Sequence, residues 1–284
     1  MDFALDADRQ AIQDMARSFA AEKLAPFAAE WDEQGYFPVE TLKEAAALGL
    51  AGIYVRDDVG GSGLGRLESA LVFEALSEGC VSTAAYLSIH NMVAWMVDSF
   101  GSEEVRQRFL PKLCVMDTVA SYCLTEAGSG SDAAALKTRA EKKGNSHYVL
   151  NGSKAFISGG PTSDVYAVMC RTGEDGAGGV SCLLVERGSK GLSYGKPERK
   201  MGWNSQPTSM VNFENCEVPI DNLVGKEGDG FKIAMRGLDG GRINIAACSL
   251  GGAAAAMKAT MTYVKDRKQF GKPLSDFQAT QFKL

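Results

Sequence analysis

The stretch from Gly230 to about Asp266 carries an uninterrupted helical pattern and restricts the fold more than any other segment. A helix of this length rises 1.5 Å per residue and spans about 50 Å, well beyond a typical globular helix. Small residues recur along it, including the run Ala253-Ala254-Ala255-Ala256. Long helices of this kind pack in bundles, because an unpartnered apolar face would lie in water. We therefore expect this helix to need other helices beside it.

The periodicity of the chain changes twice, which predicts three regions. Residues 6–117 place apolar side chains at helical spacing, as in Ile12, Met15 and Phe19. Over residues 118–224, short β-like runs recur every 8–12 residues, which is typical of a small sandwich or barrel. The predicted fold class is α+β multidomain, with an N-terminal α-helical domain (1–117), a middle β-barrel or sandwich domain (118–225) and the first part of a C-terminal helical bundle (226–284), which we expect to be incomplete.

Composition narrows the functional class. A net charge of -5 and a pI near 5.3 argue against nucleic-acid binding, and no apolar run approaches the 18 residues of a membrane helix. The acidic start shows neither an apolar signal-peptide core nor an Arg-rich transit pattern. These features predict a protein that is not secreted, cytoplasmic in a bacterium or in the mitochondrial matrix of a eukaryote.

Cysteine and histidine usage predicts neither disulfide bonds nor a metal site. The seven cysteines are odd in number, form no Cys-x-x-Cys and lie mostly in apolar runs, so buried free thiols are expected. His90 and His147 lack ligand-spaced partners, so no metal site is expected. His90 lies in an apolar helix and is predicted to be a hydrogen-bonded core residue.

Further along, Ser102 is expected to cap a helix that Pro111 disrupts.

One segment combines a buried strand with a bare loop. Residues 119–124 form a short apolar run, and Gly128-Ser129-Gly130-Ser131 follows at once. Successive backbone N–H groups in such a loop can form an anion-binding nest, which would suit a pyrophosphate. Taken alone, the Gly and Ser residues are better explained by a surface turn or flexible linker, because such loops are common. No Gly-x-Gly-x-x-Gly opens a helix here, so the Rossmann pattern is absent.

Two later segments add to this one. Asn151-Gly152 lies between two β-like runs and predicts a hairpin that joins strands 147–150 and 154–158. The second strand places Phe156 and Ser158 two residues apart, and therefore on one face. The third segment is Arg267-Lys268-Gln269-Phe270-Gly271. In this order and spacing, the three segments resemble the acyl-CoA dehydrogenase family of flavoproteins, and the match runs from about Asp6 to the last residue.

The resemblance implies a fold, a cofactor and a reaction. Family members have an N-terminal helical domain, a middle β-domain and a C-terminal four-helix domain, and they use FAD to oxidise an acyl-CoA to the 2,3-enoyl-CoA. Ser131 is implied at the CoA portion of the substrate, while simple core packing remains the alternative for Phe156. The implied FAD-binding residues are Tyr122, Cys123, Leu124, Thr125, Gly130, Ser131, Phe156, Ile157, Ser158, Arg267, Phe270, Phe277 and Gln278, the last four toward the adenosine or pyrophosphate end of a flavin, often that of a neighbouring subunit.

The sequence Asp239-Gly240-Gly241-Arg242 lies inside the long helix and places two glycines there, each costing roughly 1 kcal/mol relative to Ala. Close approach of a ligand or of another helix would justify them, and the sequence leaves both interpretations open. The resemblance implies that these four residues bind the CoA substrate.

The general base is the point at which this chain departs from the family pattern. In most members the base is a Glu late in the C-terminal domain, which we expect beyond Leu284, the last residue of this sequence. In a minority of members the base precedes the helix arginine, where this chain has Gly241. We therefore expect no catalytic residue in this C-terminally truncated chain and no competence of the chain alone.

The resemblance also implies a substrate and partners. The segments Ser88–Met92, Gly202–Thr208 and Gly241–Ala246 look most like members that oxidise isobutyryl-CoA in valine catabolism. Electron-transfer flavoprotein would accept the electrons, and the full-length protein would be a homo-oligomer, usually a tetramer. The alternatives are an oxygen-using acyl-CoA or nitroalkane oxidase relative, and a non-catalytic scaffold that binds flavin, CoA or partner subunits.

Overall fold

The computed structural model describes residues 4–284, and its N-terminal third is helical. In this part of the chain, a π-helical turn, Ala20–Leu24, directly follows the first helix, and a 3₁₀ turn, Asp57–Val59, precedes the helix that begins at Arg66. The helices are Ala7–Phe19 (α1), Ala28–Gln34 (α2), Val39–Ala47 (α3), Arg66–Gly79 (α4), Val81–Phe100 (α5) and Glu103–Cys114 (α6).

Helix α5 lies at the centre of this region and is buried around nearly its whole circumference, as its apolar sequence predicts. Its buried polar side chains have specific partners. The Asn91 side chain accepts from the Ile53 N–H and donates to the Leu50 carbonyl, both at 2.8 Å. These bonds hold the 48–55 loop against α5, because a buried polar group is costly unless it is hydrogen-bonded.

Helix α6 confirms one local prediction and corrects another. The Ser102 hydroxyl accepts from the Val105 N–H, so Ser102 is the N-cap. Pro111 does not disrupt the helix, which continues to Cys114. The proline lies in the last turn and removes one backbone bond, and burial of Leu110 and Leu113 keeps the final turn helical.

His90 is a core residue, as predicted. Its ring is fully buried, with Nε2 2.9 Å from the Leu113 carbonyl and Nδ1 accepting from the Ala120 N–H at 3.2 Å. The ring therefore joins α5, the end of α6 and the first strand. Burial lowers the pKa of His90 to about 4.

This shift predicts an acid-sensitive contribution to stability. The folded-state pKa lies below the unfolded value of about 6.5, so the contribution is complete above pH 6.5 and is lost as the pH falls toward 4. We expect His90 to lower the free energy of unfolding by about 2–3 kcal/mol over this range. Urea unfolding at pH 7 and pH 4 measures it. His90→Gln should remove this part of the pH dependence, and the matched change His147→Gln should keep it; equal slopes in both variants would contradict the assignment.

Residues 120–224 form one sheet with an irregular outline. The strands are Ala120–Cys123 (β1), Arg139–Lys143 (β2), His147–Ser158 (β3), Val165–Arg171 (β4), Val180–Glu186 (β5), Leu192–Tyr194 (β6), Thr208–Pro219 (β7) and Leu223–Val224 (β8). They are joined in the order β6-β7-β3-β2-β4-β5-β8, and β1 lies parallel to β4.

The sheet divides into two lobes at its weakest pairing. Strand β2 meets β4 through a single residue pair, Arg139 with Arg171. Side chains from both lobes, including Tyr148 and Val168, share one core. Within residues 4–284 no pairing joins β6 to β8, so the closed barrel among the predicted alternatives is not observed. The middle region is a mixed sheet folded onto its own core.

The predicted hairpin at Asn151-Gly152 is wrong, because these residues lie inside the single strand β3. Pairing with β7 continues on both sides, with Leu150 opposite Cys216 and Gly152 opposite Phe213. The register shifts at this point, which marks a β-bulge. Gly152 has a φ of +143°, and a Cβ on it would lie 2.6 Å from the Thr138 hydroxyl oxygen. A β-bulge and the close approach of Thr138 therefore explain the glycine at position 152, and the backbone makes no turn there.

The long helix α7 spans Gly230–Asp266, as predicted. It begins against β5, where a Cβ on Gly230 would lie 2.4 Å from the Ser181 backbone, and it then packs along α4 and α5. None of the helices found in residues 4–284 has the length and apolar character needed to cross a membrane. After α7 come two short strands, Lys268–Gln269 (β9) and Lys272–Pro273 (β10), and the short helix Gln278–Gln281 (α8).

Candidate active site

A cavity of about 410 Å³ lies where β1, β3 and α7 meet. Apolar side chains, hydroxyl groups and one arginine line it, which is the mixture typical of a cofactor site. The lining residues are Ile89, Tyr122, Leu124, Thr125, Gly130, Ser131, Ala133, Phe156, Ile157, Ser158, Met235, Leu238 and Arg242.

The end of β1 supplies the first wall. Within the described residues, the Tyr122 hydroxyl is buried without a hydrogen-bond partner, and burial raises the pKa of this phenol, so it stays protonated. Leu124 and Thr125 follow, and the Thr125 carbonyl accepts from the Ala155 N–H at 2.8 Å. Strand alternation turns the Cys123 side chain into the sheet core, away from the cavity, so a contact of Cys123 with FAD stays a prediction.

A second bulge in β3 exposes Phe156. The pairing with β7 shifts between Lys154 and Ile157, and Phe156 adopts a left-handed backbone with a φ of 58°. Its side chain is 66% exposed and borders the cavity, although the neighbouring residues Ala155 and Ile157 are buried. An exposed aromatic ring held in a rare backbone conformation is typical of a binding site. Ile157 and Ser158 line the same cavity, so the predicted Phe156 and Ser158 face is present.

The Gly and Ser loop is a compact turn with an open inner surface. The Glu126 and Ser129 backbones bond to each other in both directions, and the Ser129 hydroxyl donates to the Asp132 carbonyl at 2.6 Å. A Cβ on Gly128 or Gly130 would meet no atom of the described chain within 4 Å. Packing therefore does not require glycine here, and the open backbone beside Ser131 suits the close approach of a ligand.

A buried ion pair joins this loop to β3. The Lys154 ammonium is fully buried and donates to the Leu124 carbonyl at 2.9 Å and to Glu126 Oε1 at 2.8 Å. Glu126 also accepts from the backbone N–H groups of Lys137 and Thr138. Burial would raise the pKa of Glu126, but the bonds from Lys154, Thr138 and Lys137 lower it to about 2. The ion pair therefore holds the segment after β1 in a fixed position relative to β3, and both border the cavity.

Helix α7 supplies the opposite wall through Met235, Leu238 and Arg242, which lie on one helical face. The other predicted residues of this segment lie in different surroundings. Asp239 is exposed and Gly241 packs near Met92. Gly240 faces α4, where a Cβ would lie 2.3 Å from the Arg66 guanidinium carbon. Helix packing therefore explains Gly240, and its predicted substrate contact is not supported by this placement.

Four predicted residues do not reach the cavity within this chain. Arg267, Phe270 and Gln278 are exposed beyond the end of α7, and Phe277 is half-buried beside Phe270, with ring centroids 6.2 Å apart. Phe270 is 92% exposed.

The end of the chain also lies away from the cavity. Leu284 is exposed, follows α8 and is absent from the cavity lining. Leu284 itself therefore has no place in the site, and the Glu expected beyond it stays a prediction.

Sequence reasoning missed several cavity residues. Met235 and Leu238 precede Arg242 at helical spacing, a signal that identifies them once Arg242 is chosen. Ile89 lies in a segment that was used only to judge the substrate. Gln206 is not part of the lining, but it bonds to Ser158 from a distant segment, and no local pattern indicates this contact.

A second cavity, of about 570 Å³, begins at Asp132, the residue after Ser131. Lys137, Arg139 and Arg171 line it, together with Asp175. Arg171 is buried and donates to carbonyls of the 134–136 and 174–176 segments, so it holds two loops together. Lys137 and Arg139 are exposed and give this surface its positive charge.

Comparison with known proteins identifies the family. Models for the N-terminal, middle and C-terminal domains of acyl-CoA dehydrogenase match residues 6–117, 121–216 and 228–284. This chain belongs to the acyl-CoA dehydrogenase family. It is 57% identical to mitochondrial isobutyryl-CoA dehydrogenase of Bos taurus and 59% identical to that of Dictyostelium discoideum, in both cases over 99% of this chain and 67% of the relative.

A solved structure of a family member has the same fold. Butyryl-CoA dehydrogenase from Megasphaera elsdenii superposes with a TM-score of 0.94 at 39% identity, over 100% of this chain and 75% of that one. The family fold brings the strand end, the bulged strand and the long helix of this chain to one cavity. Within the described part of the chain, no Asp or Glu lines that cavity.

Proposed function

We propose that this chain binds FAD in the 410 Å³ cavity and acts in the oxidation of a short branched acyl-CoA, of the isobutyryl-CoA type, to the 2,3-enoyl-CoA. The observation that carries the proposal is the meeting of Thr125, Phe156 and Arg242 at one cavity, which brings together the strand end, the bulged strand and the long helix. The high identity to isobutyryl-CoA dehydrogenases over nearly the whole chain supports the substrate class.

The residues present fit a flavin. The Phe156 ring offers a flat apolar surface, and Tyr122 and Ser158, which line the same cavity, carry hydroxyl groups. The buried Tyr122 hydroxyl lacks a partner within residues 4–284, and a polar ligand would satisfy it. FAD, when bound, supplies the acceptor for the hydride. The protein positions the reactants and excludes water between β3 and α7.

The second cavity suits the nucleotide end of CoA. It continues from Ser131 through Asp132 to Lys137 and Arg139, so an anionic group placed there would meet two exposed cations. Ser131 and Arg242 line the 410 Å³ cavity, and Ser131 directly precedes Asp132 of the second cavity in the chain. We place the thioester near Leu238 and the phosphates of CoA beyond Ser131.

The general base is a separate part of the proposal. Because the lining residues within 4–284 include no carboxylate, we propose that they hold flavin and thioester and supply no proton acceptor. General-base catalysis contributes roughly 10²–10⁴-fold to a rate. We further propose electron-transfer flavoprotein as the electron acceptor and a homo-oligomer, a tetramer in the full-length protein, in which Arg267, Phe270, Phe277 and Gln278 contact the flavin of a neighbouring subunit.

Anaerobic mixing of the FAD-loaded chain with isobutyryl-CoA tests the proposal, with the visible flavin spectrum as readout. We expect bound FAD, perturbation of its spectrum by the substrate, and slow bleaching or none. Failure of the chain to bind FAD would overturn the proposed function. Rapid bleaching would overturn only the statement about the base, and rapid reoxidation by oxygen would favour an oxidase.

Phe156→Ala is expected to weaken FAD binding about 10-fold, since an aromatic contact contributes roughly 0.5–1.5 kcal/mol beyond its buried area. Quenching of FAD fluorescence on titration with protein measures the dissociation constant. Phe27→Ala is the matched control, because Phe27 is an exposed aromatic of the helical region that does not line the cavity. Equal affinities of the two variants would exclude Phe156 from the flavin site.

A further inference from the structure

The loop before β7 places a buried amide beneath the cavity. Gln206 is only 3% exposed, and its Nε2 donates to the Ser158 hydroxyl oxygen at 2.6 Å. Ser158 lines the cavity and, among the described residues, its hydroxyl donates no hydrogen bond of its own. Gln206 therefore occupies an acceptor position of this hydroxyl and leaves its hydrogen free to point toward the cavity.

The loop that carries Gln206 is held by two sets of hydrogen bonds. The Lys200 ammonium donates to the Gln206 carbonyl, to the Trp203 carbonyl at 2.7 Å and to the Thr208 hydroxyl oxygen at 2.9 Å. Asn204 bonds to the Asp32 carboxylate through its backbone and side-chain nitrogens, at 2.7 and 3.0 Å. These bonds hold the loop itself, and among the described residues the Gln206 side-chain amide bonds to Ser158.

The carbonyl oxygen of the same amide makes this arrangement unfavourable for stability. Gln206 Oε1 is buried and has no hydrogen-bond partner within residues 4–284. An apolar side chain of the same length would avoid that loss, because a buried acceptor without a partner destabilises the fold. Retention of an amide here is therefore explained by what its nitrogen does for Ser158.

We propose that Gln206 is a positioning residue for the flavin, which directs the Ser158 hydroxyl hydrogen to an acceptor atom at the edge of the ring. This inference rests on the proposed function. The direction of the amide decides the polarity: a rotated amide would accept from Ser158 and leave only lone pairs facing the cavity. A donor at this edge stabilises the reduced ring, which carries more negative charge, more than the oxidised one.

Measurement of the FAD midpoint potential tests the inference, with FAD affinity as a second readout. The variants are Ser158→Ala, Gln206→Met and the double variant; Gln206→Leu replaces Gln206→Met if that protein does not fold. Both single variants are expected to lower the potential and to weaken FAD binding about 2- to 10-fold. The double variant should shift the potential no further than Ser158→Ala alone, because both changes remove one hydrogen bond.

Asn204→Ala is the matched control, since it loosens the loop from Asp32 without removing the bond to Ser158. It is expected to lower thermal stability and to leave the potential unchanged. A wild-type potential in Gln206→Met, or a shift that adds fully to that of Ser158→Ala, would overturn the inference alone. Failure of the unmodified chain to bind FAD would overturn the proposed function and the inference with it.

Discussion

Lys154→Met is expected to lower the free energy of unfolding by about 3–5 kcal/mol, because it leaves one partner of a buried ion pair without the other. The Lys154 ammonium is fully buried and bonds to Glu126 and to the Leu124 carbonyl. After the substitution, Glu126 keeps its bonds from the Lys137 and Thr138 N–H groups but loses its only counter-charge among the ion pairs of residues 4–284. Removal of one partner is far more costly than the pair is stabilising.

Urea unfolding at pH 7 measures this change. The double variant Lys154→Met/Glu126→Gln should recover part of the loss, since it removes both charges. Lys143→Met is the matched control: its ion pair with Glu141 is exposed on both sides, and its loss should change the free energy by less than about 1 kcal/mol. A similar small loss for Lys154→Met would show that water reaches this pair.

Gly251→Ala is expected to destabilise the protein by about 3 kcal/mol or more. A Cβ at this position would lie 2.0 Å from the Glu74 carbonyl oxygen and 2.9 Å from the Ser77 Cβ. The closest atom belongs to the backbone of α4, so relief requires the two helices to separate. Overpacking of a rigid contact typically costs about 1–3 kcal/mol, and a contact with backbone lies at or above the upper end.

Gly241→Ala, in the same helix, is expected to change stability in the opposite direction. The nearest atom to its Cβ would be Met92 Sδ at 3.4 Å, an ordinary contact with a flexible side chain. Replacement of a helical glycine by alanine then gains up to about 1 kcal/mol. Thermal and urea unfolding of both variants tests the pair of predictions. Destabilisation of equal size at the two positions would mean that helix packing does not distinguish them.

Prediction from sequence succeeded where one local pattern decides the structure. The bounds of α7 follow from a long uninterrupted helical pattern, and the end of β1 follows from an apolar run that meets Gly and Ser. Both signals are local, so distant contacts had little to change. The family motifs added the cavity residues of β1 and β3, because their order and spacing are specific.

Sequence reasoning did not reach several features that depend on contacts between distant segments. Asn151-Gly152 has a strong turn propensity, but pairing with β7 on both sides keeps the backbone extended. Gly240 is explained by Arg66, and Gln206 is explained by Ser158. In each case the deciding neighbour lies in another part of the chain.

Helix α7 also makes the two halves of the protein mechanically dependent on each other. Its first residues contact β5, its Arg242 borders the cavity, and Gly251, about 14 Å further along at 1.5 Å per residue, contacts the α4 backbone. A helix transmits a displacement along its axis with little loss. Any substitution that pushes α7 away from α4 therefore moves Leu238 and Arg242 relative to Phe156. The width of the cavity is therefore set in part by Gly251, which lies outside the cavity lining.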